Sequence, residues 1–240
     1  EVDPWLPGDG TKVVLPTQYV LPEAPREGLV VNLATMRLFY FPEPVGEGLQ
    51  EVITHPIGIG REGWRTPQGK FHIIEKVENP VWRVPASIRR EHAAMGDPLP
   101  AAVKAGPDNP LGAHAMRLNR PQYLLHGTNK PYGVGMRVSH GCIRLYPEDI
   151  AQLFPDVPLG TPVRIVNQPY LAGWRGGQLY LEAHEPLAED AKRWKGSLKP
   201  MEEVVSNKLE GSPVAVDRAE VMERAAAAIE AAATVGDRAE

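Results

Sequence analysis

The chain of 240 residues carries a single cysteine, Cys142, in the run Ser139-His140-Gly141-Cys142-Ile143-Arg144-Leu145. A lone thiol has no internal disulfide partner, so it is either a small buried hydrophobe or a reactive group. Its neighbours favour reactivity: an imidazole stands two positions before it and a guanidinium two after. Such groups stabilise the thiolate, which is the nucleophilic form. A second imidazole, His126, lies upstream in Leu124-Leu125-His126-Gly127-Thr128. Twelve residues separate His126 from Ser139, and the stretch Thr128–Val138 holds Pro131, Gly133 and Gly135. That is loop chemistry, and closing a loop of this size costs little entropy. His126 is therefore expected to reach Cys142, either as the base that takes its proton or as the imidazolium of an ion pair. A nearby backbone carbonyl would orient the ring. Backbone N–H groups around Gly141 and Cys142 are candidate donors to a developing oxyanion, because glycine lets the chain approach closely. Arg144 offers a planar fork for a substrate carboxylate.

Other readings of these residues are weaker. A zinc site from His126, His140 and Cys142 matches no common structural spacing, and no second cysteine or carboxylate motif completes it. No metal or cofactor is expected. His140 is open between a structural and a catalytic role. His55, His72, His92, His114 and His184 read as surface or packing residues. Trp82 and Trp174 read as core; Trp64, in the turn-rich segment before Thr66-Pro67, is the tryptophan best placed to line a groove.

The elements that must position these groups are mostly strands. Pro and Gly make up 25 and 23 residues, a bias toward turns and short strands. Strand-like runs are Leu29–Leu33, Met36–Phe41, Val52–Ile59, Lys70–Val77, Ala113–Leu118, Gln122–Leu125 and Pro162–Asn167, with a hairpin at Tyr170–Glu182. A short helix is expected over Ala86–Met95. Another is expected from Pro147 to about Phe154, with Glu148 and Asp149 in its first turn. Residues 1–28 are a Pro/Gly-rich lead-in with one short strand at Lys12–Leu15. The tail suggests a helix over Arg218–Thr234, capped by Asp217, ended by Gly236 and striped by Val221, Ala225, Ile229 and Ala232. The fold class expected is mainly β with a few helices. A net charge of -4 and a pI near 6.0 give no reason to expect nucleic acid, and no apolar run approaches a membrane span. The chain starts at Glu1 without a leader, so it reads as a mature or trimmed form.

The segments around His126 and Cys142 resemble the active-site signature of the bacterial L,D-transpeptidases. Val31-Asn32-Leu33, Pro56-Ile57-Gly58-Ile59-Gly60, Thr66-Pro67-Gln68-Gly69 and Gly106-Pro107-Asp108-Asn109-Pro110-Leu111-Gly112 resemble that family's periplasmic branch, which includes enzymes that attach a lipoprotein to peptidoglycan. The resemblance covers residues 29–167 and implies a catalytic domain of β-sandwich or β-barrel-like form. Residues 168–240 would be a C-terminal hairpin plus helical segment, and residues 1–28 the trailing edge of a LysM module. It implies that Cys142 attacks the third residue of a peptidoglycan tetrapeptide stem and releases D-alanine. The resulting thioester passes to an amine of a second stem or of an outer-membrane lipoprotein lysine. His126 would be base and then acid, oriented by the Gly127 carbonyl. Ser139, His140 and Gly141 would shape the pocket, and Arg144, Thr66 and Trp64 would bind substrate. Arginine at position 144, where many members of the wider family have asparagine, points to the periplasmic branch. Carbapenem inhibition follows from the same resemblance. The rival expectations are an L,D-carboxypeptidase or lipoprotein-detaching hydrolase using the same site, and a non-catalytic peptidoglycan-binding module.

Overall fold

Two runs of β-branched and aromatic residues, Leu29-Val30-Val31 and Leu38-Phe39-Tyr40-Phe41, form the hairpin β1 (Gly28–Asn32) and β2 (Arg37–Phe41). The structure is a computed structural model that describes residues 8–12, 17–44, 46–190, 197–210, 217 and 219–227. After the hairpin come β3 (Ile53–Pro56), β4 (Ile59–Gly60), β5 (Gly69–Glu78), β6 (Trp82–Arg83), helix α1 (Ala86–Ala94), β7 (Ala102–Val103), β8 (His114–Leu118) and β9 (Leu124–His126). A single 3-10 turn at Pro131–Gly133 leads to β10 (Arg137–Ser139) and β11 (Ile143–Arg144). Helix α2 (Pro147–Asp156), β12 (Pro162–Val166), β13 (Tyr170–Arg175), β14 (Gln178–Ala183) and helix α3 (Lys199–Glu210) follow.

Eight strands make one sheet in the order β11-β9-β8-β5-β12-β1-β2-β3. Most pairs are antiparallel, but β1 pairs β12 and β9 pairs β11 in parallel. The long β5 shifts register between Ile73 and Glu75 where it meets β8. Such a bulge bends a strand and increases its twist. The inner face buries Leu29, Val31, Leu38, Ile73, Met116, Leu118, Leu125, Ile143 and Ile165, with Ile150, Leu153 and Phe154 of α2 packed against them. On the outer face Val30, Phe39 and Phe41 are covered by Tyr19, Leu21 and Ala24. The lead-in is thus a covering layer over at least residues 17–24; its expected strand at Lys12–Leu15 falls largely outside the described residues.

Most expected elements are present, with three differences. The run Val52–Ile59 is two strands, β3 and β4, parted at Ile57-Gly58. The expected loop Thr128–Val138 contains the 3-10 turn and the start of β10. Helix α3 was not expected; Met201, Val205 and Leu209 on one of its faces join Tyr170 and Ala225 in a second apolar cluster. Asp217 Oδ1 accepts the N–H groups of Ala219 and Glu220, capping the helical stretch 219–227 as expected. Ile229, Ala232 and Gly236 lie outside the described residues. Among the described residues no helix is long and apolar enough to cross a membrane.

Candidate active site

The parallel pair β9–β11 sets Ile143 level with Leu125 and Arg144 level with His126. Side chains alternate across a strand. Leu125 and Ile143 are fully buried on the core face. His126, Arg144 and, one residue before the strand, Cys142 therefore share the opposite face. Strand rise and inter-strand spacing put the Cys142 and His126 backbones about 8 Å apart, a gap that an imidazole and a thiol reaching toward each other can close.

His126 is held from several sides. Gly127 N–H donates to the His114 carbonyl, and the His126 carbonyl accepts Leu145 N–H. The loop at Gly106–Gly112 braces the same corner. Asn109 is completely buried; its amide donates to the carbonyls of Pro80 and Lys104, and its Oδ1 accepts Leu111 N–H. The His126 ring is buried, and its Nδ1–H donates to the Gly127 carbonyl at 2.5 Å. The tautomer follows from that acceptor, and it leaves Nε2 as the proton acceptor. Burial, followed by the charge of Arg144, lowers the His126 pKa to about 4 against the upward pull of the Gly127 bond.

Ser139 organises the loop that presents the thiol. Its hydroxyl donates to the Cys142 carbonyl at 2.6 Å and accepts Gly141 N–H at 3.1 Å. Gly141 sits at φ +104°, and a Cβ there would stand 2.8 Å from the Tyr123 ring. Only glycine fits this turn without strain. Gly141 N–H is thus occupied by Ser139, which corrects the expectation that it faces an oxyanion. The Cys142 N–H has no partner among the described residues and is the remaining candidate donor. The Cys142 thiol is partly exposed and donates to the Gln122 carbonyl at 3.5 Å. Burial raises its pKa, outweighing the Leu124 backbone and the charges of Arg144 and Arg117. Both partners are pushed toward their neutral forms. Of the two alternatives, both shifts favour a resting thiol–imidazole pair over a thiolate–imidazolium pair.

Arg144 is half-buried, and its pKa falls through burial. It forms no salt bridge among the described residues, and its buried Nε has no hydrogen-bond partner. Its guanidinium lies where a side chain on Gly133 would be: a Cβ there would meet Nη1 at 2.8 Å. Thr66 is turned inward, and its Oγ1 accepts Gly60 N–H at 3.0 Å. It braces the neighbouring turn. Trp64 sets its ring edge-on to His140, centroids 4.8 Å apart. His140 Nε2 bonds Glu91 Oε2 at 2.7 Å, and the other carboxylate oxygen of Glu91 takes Arg61 Nη2. Glu91, Arg61, Asn109 and Tyr123 were not singled out from the sequence for the site. Glu91 is 49 positions from its histidine, and nothing local marks it. Asn109 lies in a turn-rich segment, whose composition signals a turn and not the buried amide. Elsewhere, His55 pairs with Asp149 at 3.1 Å, and His114 packs on Phe154.

Fold and site define a mainly β catalytic domain whose thiol, imidazole and guanidinium share one face of a parallel strand pair. The family model of the L,D-transpeptidase catalytic domain matches residues 26–165, and the chain belongs to that family. It is 44% identical over 229 residues to "Probable L,D-transpeptidase ErfK/SrfK" of Salmonella typhimurium, covering 93% of this chain and 72% of the relative. It is 44% identical over 197 residues to "Probable L,D-transpeptidase YbiS" of Escherichia coli, covering 81% and 63%. The match to "Probable L,D-transpeptidase YcfS" of Escherichia coli is 46% identical and spans 78% of this chain and 59% of that one. The chain thus spans about three fifths of the length of the last two. The catalytic domain of the Enterococcus faecium L,D-transpeptidase, solved by NMR, aligns over 60% of this chain and 99% of its own, at TM-score 0.43 and 21% identity.

Proposed function

We propose that this chain is the catalytic part of a cysteine L,D-transpeptidase that acts on peptidoglycan tetrapeptide stems in the periplasm. The observation that carries the reading is Arg144: a half-buried cation with no acidic partner among the described residues, on the same strand face as Cys142 and His126. A buried cation without a counter-charge is costly, and a carboxylate of the stem would supply one through a forked pair of hydrogen bonds.

In this reading Cys142 Sγ attacks the carbonyl carbon at the L-centre of the third residue as His126 Nε2 takes the thiol proton. The oxyanion faces the Cys142 N–H. The intermediate collapses as His126 Nε2–H protonates the departing D-alanine nitrogen, leaving a thioester on Cys142. An acceptor amine then attacks the thioester, His126 takes its proton, and the thiol is restored. An imidazole titrating near 4 is a weak base but a strong acid, which suits the protonation of an amine leaving group. The acceptor is a second stem or a lipoprotein lysine. Water is the competing acceptor, because the thiol is partly exposed. Residues 168–240 act as a C-terminal appendage, residues 1–28 as the end of a LysM module, and carbapenems acylate Cys142.

Mass spectrometry of the protein with a disaccharide-tetrapeptide, with and without a second amine, tests the proposal. Loss of D-alanine with a product joined through a third residue supports it, and Cys142→Ala should form no adduct. Tripeptide alone would reassign the site to a carboxypeptidase. Retained binding without turnover or adduct would make it a binding module.

A further inference from the structure

His140 lies two residues before the thiol, and its surroundings are built from two separate segments, helix α1 and the turn Arg61–Trp64. Its Nε2–H donates to Glu91 Oε2 at 2.7 Å, and the ring rests edge-on against Trp64. Arg61 closes the cluster, with one hydrogen bond to the other oxygen of Glu91 and its Nη2 3.2 Å from His140 Nε2. The Glu91 carboxylate therefore spends one oxygen on each cation-forming neighbour. Arg61 is tied to the same loop through its backbone, since its N–H donates to the Ser139 carbonyl at 3.0 Å.

Helix α1, which carries Glu91, is otherwise lightly anchored. It has nine residues, no side-chain cap and one buried residue, Ile88. Isolated helices of that length are marginal, so its polar contacts carry much of its docking. The connection runs both ways: the loop holds the helix, and the helix holds His140.

We propose that Glu91 is a positioning residue, whose carboxylate, bridging Arg61 and His140, fixes the Ser139–Cys142 loop and so holds the Cys142 thiol in reach of His126. The inference deepens the transpeptidase reading and rests on it for its turnover measurement. Alkylation of Cys142 by iodoacetamide, which needs no peptidoglycan, tests it separately.

The experiment compares wild type, Glu91→Ala, Glu91→Gln, His140→Ala and Glu91→Ala/His140→Ala. It measures the kcat and KM of D-alanine release, the alkylation rate and the Tm. Glu91→Ala should lower kcat about 10- to 100-fold, the range of losing one charge-assisted hydrogen bond. KM should stay within about twofold, since Glu91 meets no substrate. Glu91→Gln keeps one acceptor oxygen and should fall between wild type and Glu91→Ala in both kcat and alkylation. In the His140→Ala background the Glu91→Ala change should cost clearly less than in wild type, because the His140 contact is already gone and only the Arg61 contact is left to lose. Additive losses in the double variant would overturn the proposal, as would unchanged kcat and alkylation in a folded Glu91→Ala. If Glu91→Ala fails to fold, Glu91→Gln decides by the same readouts. Altered alkylation in a protein that turns over no peptidoglycan would uphold the positioning role and reject the transpeptidase reading.

Discussion

Alkylation of Cys142 should show no reactive plateau at acid pH. Forming the ion pair means moving a proton from a thiol whose pKa burial raises to an imidazole held at about 4. Even an unshifted thiol, at ~8.5, would stand about 4.5 pH units above that imidazole, ~6 kcal/mol, and burial widens the gap. Mutual attraction returns part of it: two charges ~4 Å apart at an effective dielectric of ~20 gain ~4 kcal/mol. The balance still leaves the ion pair ~2 kcal/mol or more above the neutral pair, a population of roughly 4% or less. The assay is the second-order rate of iodoacetamide labelling from pH 4 to 10, read by intact mass. The logarithm of the rate should climb steadily with pH and level off only above the ordinary thiol range. A plateau between pH 5 and 7, with its lower edge near 4, would show a resting thiolate and refute the reasoning.

Acid should destabilise the fold through the same histidine. The folded value for His126, about 4, lies below its ordinary 6.5. Between those values the unfolded chain binds a proton that the folded chain refuses. The contribution is fully present above 6.5 and is lost as pH falls toward 4, by ~3 kcal/mol. Urea unfolding at pH 7 and pH 4.5 should show a smaller difference for His126→Gln than for wild type. Gly141→Ala should destabilise by ~1–3 kcal/mol from its positive φ and the Tyr123 ring, and should slow alkylation; a variant as stable and reactive as wild type would contradict the described turn. Asn109→Ala strips partners from two buried backbone groups, the Pro80 carbonyl and Leu111 N–H, and should cost ~2–4 kcal/mol in thermal or urea unfolding; a loss under ~0.5 kcal/mol would show the network to be idle. Arg144→Lys keeps the charge but not the fork, so D-alanine release should lose kcat/KM about 10-fold or more; equal activity would remove the bidentate role.

How legible the protein was depended on the reach of each interaction. Cys142, His126 and Arg144 lie close in sequence and carry reactive groups, so residue type and spacing exposed them. The hairpin β1–β2 and strand β5 were legible from apolar and β-branched runs. Strands β10 and β11, of three and two residues, are too short for any periodicity to register. They exist because β4 and β9 offer edges to pair with. Met201, Val205 and Leu209 recur at helical spacing, so the signal for α3 is present in the sequence, though brief. Glu91 illustrates the opposite limit. Its partner comes from tertiary folding alone, and a glutamate within a short helix is ordinarily a solvated face.

The missing side chain at Gly133 has a consequence for anyone who would redesign this groove. The guanidinium of Arg144 occupies the volume a Cβ would claim, so the two positions form one lock with a single shared space. A search that varies residue 144 alone leaves a hole behind every smaller choice. One that adds bulk at 133 first evicts the cation. If Arg144 binds the stem as proposed, recognition of a different stem peptide is accessible through paired changes at 133 and 144, and poorly accessible through either position in isolation.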